Sequence, residues 1–323
     1  MSMSFSSIPF ETITKFGQQT MLDRPLFNIS WILGRFCNYN CSYCWPYARS
    51  GKLDHQNLDV YKSTIDEIKR QARLNGFNEF HWSFSGGEPT AYKQLPELVK
   101  HLDELKSTYQ SIHMTTNLSP GSKWWNNWCR NTELLQRRSI TASFHDEFAK
   151  EQEFGDKCLQ LMYERVHVTV NQVMVPEKFF ETLERCERLR SRGINVTLKP
   201  QSNDTATKIV EGYTPKMIEI MQDDYEQQEG FQIRLTDGKQ DYFIDQAERF
   251  NALGFNKFQG WTCNAGYQSV IIRGTEVKRA YSCKENNIGN ILTGFDLFKE
   301  PKKCITPICV SSADSKIPKI NNA

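Results

Sequence analysis

The sequence has no run of about 18 consecutive apolar residues, the length a helix needs to cross a bilayer. Its first segment, MSMSFSSIPFETITKF, has no basic stretch leading into an apolar one. On these grounds neither a membrane-spanning nor an exported protein is expected, and the cytoplasm is the expected location. No charge of one sign dominates either: 40 basic side chains stand against 38 acidic ones, for a net charge of +2. Such a balance gives no general attraction to nucleic acid or to a membrane surface, and neither partner is expected. Internal repeats and low-complexity tracts are missing as well. Apolar residues are not scarce, at 39% with 12% aromatic, so the 323 residues can bury a real core. That length accommodates one large domain, or one of about 200 residues with a smaller companion.

Cysteine is abundant, with ten in the chain. Nothing routes the chain to an oxidising compartment, so a disulfide framework is not the expected use. Cys37, Cys41 and Cys44 cluster early, and Cys263, Cys283, Cys304 and Cys309 fall in the last quarter. Cys129, Cys158 and Cys186 stand alone between them and read as small buried apolar residues.

Strand-like and helical patterns alternate. Strands are expected at 27–35, 80–85, 111–117, 139–145, 166–175 and 194–201. Between the first two, Tyr61, Ile65, Ile68 and Ala72 recur at helical spacing and Gly76 ends the helix. Further helices are expected at 95–106, 179–193 and around 214–228. Strands alternating with helices define an α/β protein with a parallel sheet and right-handed crossovers. The units are too few for a closed eight-stranded barrel and suit an open, partial one. Loops after the strands then meet on one rim: the cysteine loop, SGGEPT, TTNLS and SFHDEF. From about 231 the runs shorten and become β-rich (FQIRLT, YQSVIIRG, TEVKRAYS), which places a domain boundary near 225–235.

In GRFCNYNCSYCWPY, residues 34–47, three cysteines are spaced Cys-x3-Cys-x2-Cys. Three thiolates close three corners of a tetrahedral metal or of a cubane cluster. A zinc site needs a fourth ligand; His55 is available but at no usual spacing. A redox pair of Cys41 and Cys44 leaves Cys37 without a role. A cubane accepts three thiolates and leaves one iron open.

CNYNCSYC resembles the Cys-x3-Cys-x-aromatic-Cys loop of the radical S-adenosylmethionine (SAM) superfamily, and SGGEP at 85–89 resembles its Gly-Gly-Glu segment after strand two. The resemblance implies a partial (βα)6 TIM-like barrel over 25–230, after a lead-in at 1–24. It implies a [4Fe–4S] cluster on Cys37, Cys41 and Cys44, with SAM on the fourth iron. Tyr43 then packs near the adenine, and Gly86, Gly87 and Glu88 receive the SAM amino group. Asn117 and Ser143 fall where the family places polar residues near the SAM ribose and carboxylate. Asn171 or Gln172, and Lys199 or Gln201, also point at this rim. His145, a lone histidine in a loop, reads as neither acid nor base, and the aromatic run KWWNNWC at 123–129 reads as packing. The barrel interior is expected to be apolar and aromatic-lined.

CNAGYQSVIIRGTEVKRAYSCKENNIGNI at 263–291, followed by CITPIC, resembles the small C-terminal β-rich twitch/SPASM extension of that superfamily. This implies a second [4Fe–4S] cluster within 231–323, held by Cys263, Cys283, Cys304 and Cys309. The last pair departs from the usual pattern in being spaced Cys-x4-Cys, and a structural zinc site is the alternative. The implied activity is reductive cleavage of SAM to a 5′-deoxyadenosyl radical that removes hydrogen from a substrate carbon. Oxidation with electron transfer to the second cluster is favoured over epimerisation. The substrate is a sugar- or alcohol-type small molecule or a peptide, and the electron donor a flavodoxin or ferredoxin. About 25 residues before the first strand are too few for a folded leader-binding module, which weighs against a peptide. The reading from another class is a non-catalytic zinc- or cluster-binding regulator.

Overall fold

The computed structural model describes residues 8–103, 108–204, 208–223, 233–244 and 254–321. β1 (Lys15–Gln18) and α1 (Gln19–Asp23) precede β2 (Leu26–Gly34). Then come α2 (Leu58–Leu74), β3 (Glu79–Gly86), α3 (Leu95–Lys100), β4 (Gln110–Thr116) and α4 (Ser122–Asn131). β5 (Arg137–Phe144), α5 (Glu151–Tyr163), β6 (His167–Met174), α6 (Phe179–Ser191), β7 (Asn195–Pro200) and α7 (Pro215–Asp223) complete the alternation. β2 to β7 are the six strands the sequence predicts, each bound within two residues. The helix expected at 95–106 stops at Lys100 and continues as a 3-10 turn, His101–Asp103; residues 104–107 lie outside the described ones. The helix expected near 214–228 is α7, and 224–228 lie outside the described residues.

Two compact units divide the chain. One comprises Trp31–Leu58 and Trp82–Glu226, the other Met1–Ser30, Asp59–His81 and Gln227–Ala323. In the first of these the strand order is β2-β3-β4-β5-β6-β7, and β4 to β7 pair in parallel. β7 ends the order, so the sheet stays open. A parallel sheet of this kind needs helical crossovers, and helices cover one face of it. Ile112, Met114, Ile140, Ala142, Phe144 and Val170 point to that face and are buried. Phe144 meets Phe154 of α5 at 4.8 Å, edge to face, and lies under Arg185 of α6 at 5.4 Å. Trp125 and Trp128 of α4 are fully buried, so the tryptophan run packs rather than binds.

The opposite face departs from expectation. Period-two alternation puts His113, Thr115, Thr141, Ser143, Thr169, Asn171 and Thr197 there, and all are half-buried. The open face is therefore polar and hydroxyl-rich, where an apolar, aromatic lining was expected. Apolar residues in these strands turn to the helices instead.

The other unit holds a six-stranded sheet with the order β15-β10-β16-β1-β8-β9. Here β8 is Ile233–Thr236, β9 Asp241–Ile244, β10 Thr262–Cys263, β15 Lys302–Lys303 and β16 Lys319–Ile320. A meander of β11 (Ser269–Arg273), β12 (Glu276–Lys278), β13 (Asn287–Asn290) and β14 (Gly294–Phe295) belongs to the same unit. α2 buries Tyr61, Ile65, Ile68 and Ala72 as its spacing predicts. Gln71 on that helix donates to the Phe295 carbonyl at 2.8 Å and accepts from the Leu297 N–H at 2.6 Å.

Candidate active site

β2 ends at Gly34, and the chain turns into the cysteine loop under tight backbone control. The Arg35 N–H donates to both Asp54 oxygens at 3.0 and 3.1 Å, and the Ser50 N–H to the Arg35 carbonyl at 2.7 Å. Within the loop the Cys44 N–H donates to the Cys41 carbonyl at 3.1 Å, and the Tyr39 N–H to the Cys37 sulfur at 3.4 Å.

The glycines of SGGEP form the floor beneath this loop. The Gly87 N–H donates to the Gly34 carbonyl at 3.0 Å and the Glu88 N–H to the Phe36 carbonyl at 2.7 Å. A Cβ on Gly87 would stand 2.2 Å from the Phe36 oxygen and 2.4 Å from that of Arg35. Gly86, at φ +134°, would put one 2.3 Å from the Gly34 oxygen. Glycine is required at both positions so that two backbone segments can touch.

Glu88 is buried, and four donors surround its carboxylate. Oε1 accepts from the Thr90 N–H at 3.0 Å, the Thr90 hydroxyl at 2.7 Å and the Thr116 hydroxyl at 2.6 Å. Oε2 accepts from the Asn117 N–H at 2.7 Å. Burial pushes its pKa up while the four donors oppose the rise. Asn117 in turn donates through its amide to Asn38 Oδ1 at 3.0 Å. Glu88 and Asn117 thus tie the rim loops after β3 and β4 to the cysteine loop.

The loop after β5 makes a third connection, through His145 and through Glu147 and Phe148, to which the sequence reading gave no role. The Glu147 carboxylate accepts from the Ser42 N–H at 2.9 Å and the Ser42 hydroxyl at 2.5 Å, between Cys41 and Cys44. The Tyr43 hydroxyl is 2.8 Å from His145 Nδ1, and Phe148 stacks on Tyr39 at 4.9 Å. Burial lowers the His145 pKa and raises that of Tyr43. The only available signal was the position of SFHDEF at the end of a strand on the same rim.

Cys37, Cys41 and Cys44 are free thiols, and each is electrostatically coupled to another of the three. Burial pushes all three up, Cys41 to about 12, with the Glu147 charge adding to the rise. Among the described residues no three His, Cys, Asp or Glu side chains stand ready for a single metal ion. A cubane makes a looser demand, because each thiolate binds a different iron and the sulfurs need not meet at one point. A neighbouring trio of free thiols with no fourth ligand fits that group.

Of the remaining predicted residues, Ser143 and Asn171 lie in register on the polar face of β5 and β6. Gln172 points the other way and is buried, with Oε1 unpartnered. Lys199 shares the polar face of β7; the Gln201 N–H, just beyond, donates to the Tyr213 hydroxyl at 2.7 Å. His55 packs on Tyr92 at 5.1 Å.

The late cysteines gather in the other unit's core. Cys263 and Cys304 are buried in it, and Cys283 and Cys309 pack against it. Burial pushes Cys283 to about 12 and Cys309 to about 11, and both feel Cys263. Two buried cations stand by. Lys319 is the cross-strand partner of Cys263, and its ammonium donates to three carbonyls, of Asp314, Ser315 and Ile317, at 2.9, 3.1 and 2.7 Å. Arg279 acts on Cys283, and its Nε has no partner among the described residues.

An open parallel α/β sheet with a thiol-bearing loop after β2 and a glycine floor after β3 defines the class. The Radical SAM superfamily model matches residues 31–200, 170 of the 323. The chain belongs to that superfamily and is one of its enzymes. Membership implies SAM and a [4Fe–4S] cluster.

Two solved structures share the fold. Native anSMEcpe with bound AdoMet aligns at a TM-score of 0.51 and 14% identity, over 84% of this chain and 79% of that one. The same protein with bound AdoMet and Kp18Cys peptide aligns at 0.51 and 16%, over 84% and 78%. In sequence, the chain is 35% identical over 81 residues to GTP 3′,8-cyclase of Clostridium botulinum (strain Hall), 25% of this chain and 24% of that protein. It is 33% identical over 94 residues to the probable GTP 3′,8-cyclase of Saccharolobus solfataricus, 29% of this chain and 28% of the relative. The chain thus matches about a quarter of the length of these curated relatives. No helix among the described residues is long and apolar enough to cross a membrane.

Proposed function

We propose that the protein is a SAM-cleaving enzyme whose cluster is held by Cys37, Cys41 and Cys44, and that it oxidises a carbon of a small polar substrate in the cytoplasm. The observation that carries this reading is the trio of coupled free thiols in a loop seated directly on the Gly86–Gly87 backbone. When bound, the cluster and SAM supply a 5′-deoxyadenosyl radical that abstracts hydrogen. The chain's own residues hold and shield that chemistry. Gly86 and Gly87 allow backbone approach, and Glu88 fixes the floor through Thr90, Thr116 and Asn117. Asn117 and Ser143 offer polar groups to the SAM ribose and carboxylate. Tyr43, held by His145, closes over the adenine side and limits access of water.

Cys263, Cys283, Cys304 and Cys309 form a second, fully ligated site of the twitch type within 231–323, suited to accept an electron. A flavodoxin or ferredoxin is the external donor. Anaerobic reconstitution should give about eight irons per chain, four for each cubane. Reduction in the presence of SAM should yield 5′-deoxyadenosine, and Cys41→Ala should abolish it. Retained cleavage in that variant would overturn the assignment.

A further inference from the structure

Along the polar face of β4 to β7 the hydrogen-bonding groups differ in how they are satisfied. Lower on the face, on β4 and β5, His113, Ser139 and Thr141 satisfy one another. The Ser139 hydroxyl donates to the Ile112 carbonyl at 3.2 Å, so toward His113 it acts as acceptor. His113 Nδ1 at 3.0 Å therefore carries the proton, and Nε2 accepts from the Thr141 hydroxyl at 3.3 Å. That cluster is closed.

The row above it is not. Register places Ser143, Asn171 and Thr197 side by side across β5, β6 and β7. Thr116 pairs with Ala142, so Asn117, at the cysteine loop, begins the same row. Thr115 lies one row below. Thr115, Ser143, Asn171 and Thr197 are half-buried, and their side chains take no hydrogen-bond partner from the described residues. Half-buried polar groups left unpaired along a strand-end row, beside the cysteine loop, mark a place built for a ligand.

We infer that the Asn171–Thr197 end of this row, beyond the Asn117 and Ser143 groups assigned to SAM, is the substrate subsite, with Asn171 and Thr197 its specificity-determining residues, and that it takes an uncharged polyhydroxylated molecule of the sugar or cyclitol type. Hydroxyl and amide side chains donate and accept, as the hydroxyls of a polyol do, and neighbouring strands about 4.8 Å apart present them at the scale of a sugar ring. A triphosphate offers acceptors and charge only and calls for clustered Arg and Lys. On this face β5 to β7 supply one cation above the His113–Ser139–Thr141 cluster, Lys199. The inference rests on the proposed SAM chemistry and names the substrate class for it.

Saturation-transfer NMR on the reconstituted, SAM-loaded full chain tests it, with myo-inositol and methyl α-D-glucopyranoside as probes and GTP as the charged comparison. Both polyols should receive saturation. Asn171→Leu and Thr197→Val, each close to the native side chain in volume, should weaken their binding at least tenfold, with the cluster spectrum and thermal midpoint retained. Equal polyol binding in the variants, or binding of GTP with neither polyol, overturns the inference. Failure of the wild type to form 5′-deoxyadenosine would instead remove the radical reading beneath it.

Discussion

Glu88 separates what a motif predicts from what a fold builds. The resemblance assigns its carboxylate to the SAM amino group, yet the chain's own donors already engage it. Thr116 and Asn117 lie 28 and 29 residues away in sequence, so no local pattern could reveal that they converge on it. Thr90 could have been suspected, because a carboxylate two residues before a Thr can cap the following turn, as it does here. Glu88→Gln keeps the shape but sets an NH2 against N–H and O–H donors. It should cost about 2–3 kcal/mol, the penalty for unsatisfied buried donors. Urea denaturation of the anaerobic protein measures it. A loss below the error of that measurement would mean that the carboxylate does not brace the rim.

At the scale of elements the sequence was informative wherever periodicity and burial agree. β2 to β7 alternate because one face meets helices and the other a polar space, and a period of two shows both. What it could not show was the character of the open face. Ser, Thr and Asn in those strands read equally as solvated edges until register aligns them into rows. The glycine floor was legible as a turn, though not as a contact: only the fold brings Gly87 against Phe36 and Arg35. Gly87→Ala should therefore act on the neighbouring loop, forcing it away at a cost of about 1–3 kcal/mol, as overpacking does. Iron bound at the early site should fall with it. Gly121→Ala is the control, since nothing lies within 4 Å of the added carbon. Equal iron loading in the two variants would show that the floor does not support the thiol loop.

Across the whole molecule the two thiol groups lie in different compact units and in opposite electrostatic surroundings. Around the early trio the carboxylates of Glu88 and Glu147 act on Cys37 and Cys41, with Arg49 opposing them. Around the late four, Arg279 and Lys319 act on Cys283 and Cys309, against the single carboxylate of Asp314. The spacing of the late cysteines was legible in the sequence. The cations were not, because Lys319 reaches Cys263 only through the pairing of β10 with β16. Buried positive charge favours the more negative, reduced state of a bound cluster, and buried negative charge disfavours it. Without SAM, the late site should therefore have the higher reduction potential, as an electron acceptor requires. Two anaerobic variants separate the sites for EPR-monitored titration, Cys37, Cys41 and Cys44 replaced by Ala in one, Cys283 and Cys309 in the other. In the first, Lys319→Met should lower the late potential, by about 59 mV if the oxidised-to-reduced ratio changes tenfold. Lys319→Arg, which keeps the charge, should restore most of it. A late potential at or below the early one would rule out acceptance of the electron at that site and leave the four cysteines a structural role.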